Sequence, residues 1–93
     1  MEFIYEKNRI YAKNESGMVV AEVTFPAVDE QTVNINHTFV DESLQGQGIA
    51  GKLMEAAAST LRQQKRKACL TCPYAVKWFE NHPKYRDLRT ECV

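Results

Sequence analysis

Several things are scarce in this chain, and each scarcity narrows its chemistry. Net charge is absent: twelve Lys and Arg residues balance twelve Asp and Glu. No broad attraction to nucleic acid or to an anionic membrane surface is therefore expected. No apolar run approaches the roughly 20 residues that span a bilayer. The opening stretch MEFIYEKNRI is too charged for a secretion signal. Cysteine is sparse and odd in number, with Cys69, Cys72 and Cys92 lacking the dense, even pattern of a disulfide framework, which suits a cytoplasmic protein. The C-x-x-C pair of Cys69 and Cys72 invites a zinc or redox reading. Yet Cys92, His37 and His82 supply no second ligand pair, and Cys69 falls inside a predicted strand instead of at a helix start, so no metal is expected. Glycine numbers only four, and three of these crowd into LQGQGIAGKL, residues 44–53.

What is present reads as one domain over residues 1–93, without repeats or low-complexity segments, large enough for a single core. Residues 3–6, 9–13 and 18–25 predict short strands. NESG (Asn14 to Gly17) makes the turn between the second and third. Residues 32–40 show the clearest alternation: Val33, Ile35, His37 and Phe39 share one face, and Asn34, Asn36 and Thr38 the other. The period then becomes helical. Ile49, Leu53, Met54, Ala57 and Leu61 form an apolar stripe that predicts a helix over 49–64. KACLTC is strand-like again, and Pro73 suits the first turn of a helix over 74–81, which His82-Pro83 ends. This order predicts an α+β domain with helices packed on a mainly antiparallel sheet.

The glycines sit where the long helix begins. A helix start leaves its first backbone N–H groups unpartnered, and Ser, Thr, Asp or Asn usually accepts one of them. Here Gly46, Gln47 and Gly48 stand in that place, leaving the amides uncovered and letting a ligand approach the backbone. Lys52 in the first turn is unfavourable against the positive end of the helix dipole unless an anion binds there. Together these features describe a site for phosphate oxygens. The same residues also serve as ordinary turn residues, and the pattern is neither a Walker loop nor a dinucleotide fingerprint.

Gln45 to Ala50, Q-G-Q-G-I-A, resembles the pyrophosphate-binding loop of the GNAT N-acetyltransferase superfamily, Q/R-x-x-G-x-G/A, placed after an antiparallel strand and before a long helix. NHTFV, LQGQGIAGKLM and CPYAVKWFENHPKY in this order look like the minimal GNAT-like acetyltransferases of about this length. The resemblance implies acetyl-CoA lying in a V-shaped opening between strands 32–40 and 67–72. By it, the backbone of Gly46, Gln47, Gly48, Ile49, Ala50 and Gly51 would hold the pyrophosphate beside Gln45, with Lys52 adding charge. The backbone at Phe39 and Val40 would hold the pantetheine arm and polarise the thioester carbonyl. Tyr74 of the C-P-Y element, with Asn81 and Lys84, would border the rest of the cofactor. Trp78 reads equally as a bordering residue or as a packing residue.

The catalytic assignment stays open. Acyl transfer to an amine needs a base and an acid. Phe79 stands where many GNAT enzymes carry an acidic tyrosine, and a phenyl ring donates no proton. Cys72, before Pro73 at a helix N-terminus, either accepts the acetyl group, or protonates the departing CoA thiolate, or is a small buried residue. His37 is either a buried, hydrogen-bonded histidine or a base. Asp41 and Glu42 read as a solvated loop. The connections EKNRIY and NESG leave no room for the helices that usually cover the acceptor, so an open acceptor side is expected. That points to an amine on a large partner, such as a protein, or to a CoA-binding module with little transferase activity. The expected state is a monomer or weak dimer with neither nucleic acid nor membrane as partner.

Overall fold

A computed structural model of the protein describes residues 2–92. Its elements run β1 (Ile4–Glu6), β2 (Arg9–Lys13), β3 (Val19–Thr24), β4 (Thr32–Ile35), β5 (His37–Val40), α1 (Ile49–Gln64), β6 (Lys67–Leu70) and α2 (Pro73–Glu80). Short 3₁₀ turns lie at Glu42–Leu44 and Pro83–Leu88. The α+β class holds, and the two helices start and stop within a residue of their expected bounds. β1, β2, β3 and β5 form an antiparallel sheet in that order, while β4 pairs with β6 in parallel. Asn14 shapes the β2–β3 turn by accepting at Oδ1 from the amides of Ser16 (2.9 Å) and Met18 (3.0 Å).

One face of the sheet carries Ile10, Ala12, Ala21, Val23 and Phe25, all fully buried against Leu53, Met54, Ala57 and Leu61 of α1. This is the apolar stripe expected from the sequence meeting the inward positions of the strands. By alternation the opposite face presents Tyr11, over whose ring the Arg9 guanidinium lies at 3.8 Å. Arg9 is held there by ion pairs to Glu22 and Glu6, so side chains cover what a helix would otherwise cover.

The expected single strand over 32–40 is broken at Asn36, and this corrects the predicted faces. Ala27 bridges Val33, whereas Thr24 pairs with His37. Two residues on one side therefore oppose three on the other, a β-bulge with one extra residue. A one-residue slip turns every later side chain over. Val33 and Ile35 are fully buried, but His37 and Phe39 leave the core face and are exposed.

A second correction concerns cysteine. Cys69 and Cys92 are joined by a disulfide with their Cα atoms 5.0 Å apart, leaving Cys72 as the free thiol. The pairing is possible because the C-terminal segment returns along the outer edge of β6: Arg89 bridges Ala68 in parallel, and the Thr90 amide donates to the Ala68 carbonyl at 2.9 Å.

The turn from α1 into β6 passes through Lys65, held left-handed at φ 58°. The Arg66 amide there donates back to the Leu61 carbonyl at 2.9 Å, the geometry that glycine usually supplies at a helix end. Lys65→Gly is accordingly expected to raise stability by about 1 kcal/mol, read as a higher urea midpoint at unchanged slope. An unchanged or lower midpoint would contradict this account.

Candidate functional site

The bulge at Asn36 builds the site. Up to Ile35 the strand has a neighbour on each edge. The last ties toward β6 are the amides of Thr71 and Cys72, which donate to the Ile35 carbonyl at 3.2 and 3.1 Å. Beyond that point the chain keeps only β3, and a wedge opens between β5 and the start of α2. The Asp41 amide donates to the Val20 carbonyl at 2.8 Å. In an antiparallel ladder hydrogen-bonded pairs alternate. Phe39, paired with Glu22, therefore spends its peptide groups on β3. Thr38 and Val40 turn theirs into the wedge. Thr38 had no sequence signal for this role, since the slip that turns it toward Cys72 is invisible in the alternation.

Below the wedge the chain makes the 3₁₀ turn Glu42–Leu44 and enters α1. Asp41 caps that turn, accepting at Oδ2 from the Ser43 amide (3.0 Å) and the Ser43 hydroxyl (2.6 Å). These bonds hold its carboxyl below the usual carboxylate range. At the N-cap of α1 stands Gly48, left-handed at φ 73°, with no side-chain cap and no acidic residue in the first turn. The orphan amides face a cavity of about 330 Å³ lined by Gly46, Gly48, Gly51, Val40 and Tyr74 among others. A single cavity thus joins the uncapped helix start to the wedge. Gln45, Ile49 and Ala50 also line it; Gln47 does not.

Tyr74 closes this cavity from α2. Partial burial, and then the nearby Cys72 thiol, push its phenol up, so its hydroxyl remains a donor at neutral pH. A Cβ at Gly51 would lie 3.7 Å from the Tyr74 hydroxyl and 3.8 Å from Trp78 Nε1. Two neutral donors therefore approach the first turn of α1. Trp78 itself is buried, stacked on His82 with ring centroids 3.9 Å apart. On the outer side of α1 a second groove of about 480 Å³ runs over Gly48, Gly51 and Lys52 between Phe3 and Tyr5 on one wall and Trp78 and His82 on the other. Asn81 and Lys84 line neither space. Asn81 is the C-cap of α2, and the Lys84 ammonium lies 3.7 Å from the Glu55 carboxylate. Phe3, Tyr5 and His82 were missed in this setting because the groove forms only when β1 folds over α1.

At the wedge, Cys72 is the buried N-cap residue of α2, and its Sγ donates to the Thr38 hydroxyl at 3.5 Å. Phe79 is buried, edge-on to Trp78 at 5.2 Å. His37 lies exposed on the sheet face away from the core, which removes the buried alternative for it. Among the described residues no cluster of metal-ligating side chains occurs, and no helix is long and apolar enough to cross a membrane.

A wedge between two strands beside an uncapped helix start is the arrangement that the loop's resemblance implies. The family model for GCN5-related N-acetyl-transferases matches residues 9–88, and the chain belongs to that family. Over its whole length it is similar to a GCN5-like protein from Staphylococcus aureus solved in solution by NMR. The likeness has a TM-score of 0.79 and 29% identity, covering 99% of this chain and 90% of that one. Escherichia coli YhbS, a GNAT family N-acetyltransferase crystallised with CoA, is 27% identical, with a TM-score of 0.55 over 62% of this chain and 35% of its own. Protein NATD1 from Xenopus tropicalis is 35% identical over 63 residues, 68% of this chain and 58% of the relative. The chain thus spans less than two thirds of the length of the curated relatives it matches.

The Asp41 cap gives the site a pH dependence. A depressed carboxyl pKa contributes stability above the ordinary value of 3.8 and loses it as pH falls through the lowered one. The Ser43 amide resonance is expected to hold its position from neutral pH down to 3.8 and to move only below that. A midpoint above 3.8 would contradict the capping role.

Proposed function

We propose that the chain binds acetyl-CoA in the wedge and passes its acetyl group to an amine carried by a large partner. The observation that carries this reading is the one cavity that joins the uncapped N-terminus of α1 to Val40 and Tyr74. Bare amides and a first-turn Lys52 suit pyrophosphate oxygens. The outward peptide groups of Thr38 and Val40 suit an amide-bearing arm that adds as a strand. The outer groove, with Lys52 and the Trp78–His82 stack, suits the nucleotide end better than Asn81 and Lys84 do. Membership of the family, and the CoA held by YhbS, support the same reading.

Acetyl-CoA supplies a reactive thioester, and the chain's own groups supply the placement. Cys72 Sγ, at the head of α2 and bonded to Thr38, stands where the wedge closes. In our reading it takes the acetyl group, its proton leaving with the CoA thiol, and then yields that group to the amine. His37, exposed and next to Thr38 in β5, is the base candidate for the incoming ammonium. The open sheet face leaves space for a macromolecular acceptor. A second reading, a CoA-binding module with little transfer, is favoured by the buried Phe79 in place of an acidic hydroxyl.

An NMR titration separates these. Acetyl-CoA and CoA are both expected to shift the amides of residues 46–52 saturably. Gly48→Ala, which forces a side chain into left-handed geometry, is expected to weaken binding about tenfold, ~1.4 kcal/mol. Absence of shifts at millimolar ligand would remove the function proposed. Mass analysis is expected to find acetyl on Cys72, and Cys72→Ala is expected to lower transfer about 100-fold or more with binding retained. Unchanged transfer in Cys72→Ala would end the role of the thiol, and binding without transfer to any amine would select the second reading.

A further inference from the structure

A third cleft, of about 550 Å³, lies at the opposite end of α2 from Cys72. Phe79 and Glu80 of α2 form one wall, Pro83 and Arg86 of the following 3₁₀ turn a second, and Arg89, Thr90 and Glu91 of the C-terminal segment the third. Its size falls within the range of about 300–1,000 Å³ common to small-molecule sites. The third wall is fixed to the fold by the Thr90–Ala68 hydrogen bond and by the Cys69–Cys92 disulfide directly after Glu91.

Opposite charges line this cleft without pairing. Elsewhere in the chain Arg9 and Arg62 each hold a carboxylate, while Arg66 donates to the Gln64 amide oxygen at 3.2 Å. Arg86 and Arg89, by contrast, have no carboxylate oxygen within 4.0 Å among the described residues, although Glu80 and Glu91 line the same space. Two guanidinium groups and two carboxylates thus face one cleft without satisfying one another. A guanidinium fork matches a carboxylate or phosphate in two parallel hydrogen bonds. The two glutamates repel a polyanion and attract an ammonium. A ligand bearing both signs, with an apolar part to lie on Pro83 and the methylene stems of the arginines, satisfies every group.

We propose that this cleft is a second ligand site that takes a zwitterionic, apolar amino acid: its carboxylate lies on Arg86 and Arg89, its ammonium on Glu80 and Glu91. The site is independent of the wedge. The disulfide frames it, so that an intact cross-link keeps Arg89 and Glu91 opposite Glu80 and Arg86.

The test is an NMR titration of the full oxidised chain with L-leucine, L-leucinamide, N-acetyl-L-leucine and inorganic phosphate. Leucine is expected to shift the amides of residues 80 and 86–91 saturably and to leave residues 46–52 unmoved. The two derivatives, each lacking one charge, are expected to bind at least about tenfold more weakly, as is leucine to the double variant Arg86→Ala and Arg89→Ala. That variant's spectrum elsewhere reports whether it is folded, and Glu80→Gln with Glu91→Gln, which leaves both arginines, is expected to weaken leucine and leucinamide while sparing N-acetyl-L-leucine. No saturable shift at millimolar leucine overturns the proposal. So does equal binding of N-acetyl-L-leucine, or phosphate binding more tightly than leucine.

Discussion

A strand has two hydrogen-bonding edges, and in this protein the loss of one neighbour at a single residue determines the rest. Asn36 is the extra residue of a bulge. Before it the strand is hydrogen-bonded on both sides; after it the peptide groups of Thr38 and Val40 have no strand to meet. Unpaired backbone groups are expensive when buried away from any partner, so the opening is kept at the surface, between β5 and the head of α2. The same slip removes His37 and Phe39 from the core. Neither the wedge nor the position of Cys72 beside Thr38 would exist had the alternation run on unbroken to Val40.

Much of this architecture was legible in the residues. The α1 stripe has period and length enough to predict both ends, because Gly48 and the polar run after Leu61 punctuate it. The hairpin at Asn14 follows from side-chain chemistry confined to five residues. The uncapped helix start was legible for the same local reason: no capping side chain, and a lysine where the dipole disfavours one. What stayed hidden depends on contacts between distant segments. The bulge at Asn36 arises from the register of β3 against β5, which single-strand alternation does not report. The disulfide requires the C-terminal segment to lie along β6, and nothing near Cys92 announces it. The outer groove needs Phe3 and Tyr5 to reach α1 from the far edge of the sheet.

Local rules are broken together at one place, the start of α1. Gly48 adopts left-handed geometry, no side chain caps the helix, and the first turn holds Lys52 with no acid. Each departure costs stability, and a chain that obeyed the rules would place Ser or Asp there. Their coincidence at the mouth of a cavity is the pattern expected where a fold gives up stability for a ligand. The far side of the sheet shows the opposite economy. Without a covering helix, Tyr11 is shielded by Arg9, itself pinned by Glu22 and Glu6, so the exposed face needs no additional element.

The pairing of β4 with β6 has a consequence for how the molecule assembles. Thr32 lies beside Lys67 and Ile35 beside Leu70, with all of α1 between them in the chain. Parallel neighbours so far apart in sequence close a large loop before any contact repays the entropy lost. The hairpins β1 to β3 have short-range partners and can form early, but the wedge has one arm that stays unplaced until α1 has docked and brought β6 back. The wedge is thus a late product of folding, present only in the finished molecule and absent from any fragment that lacks either arm.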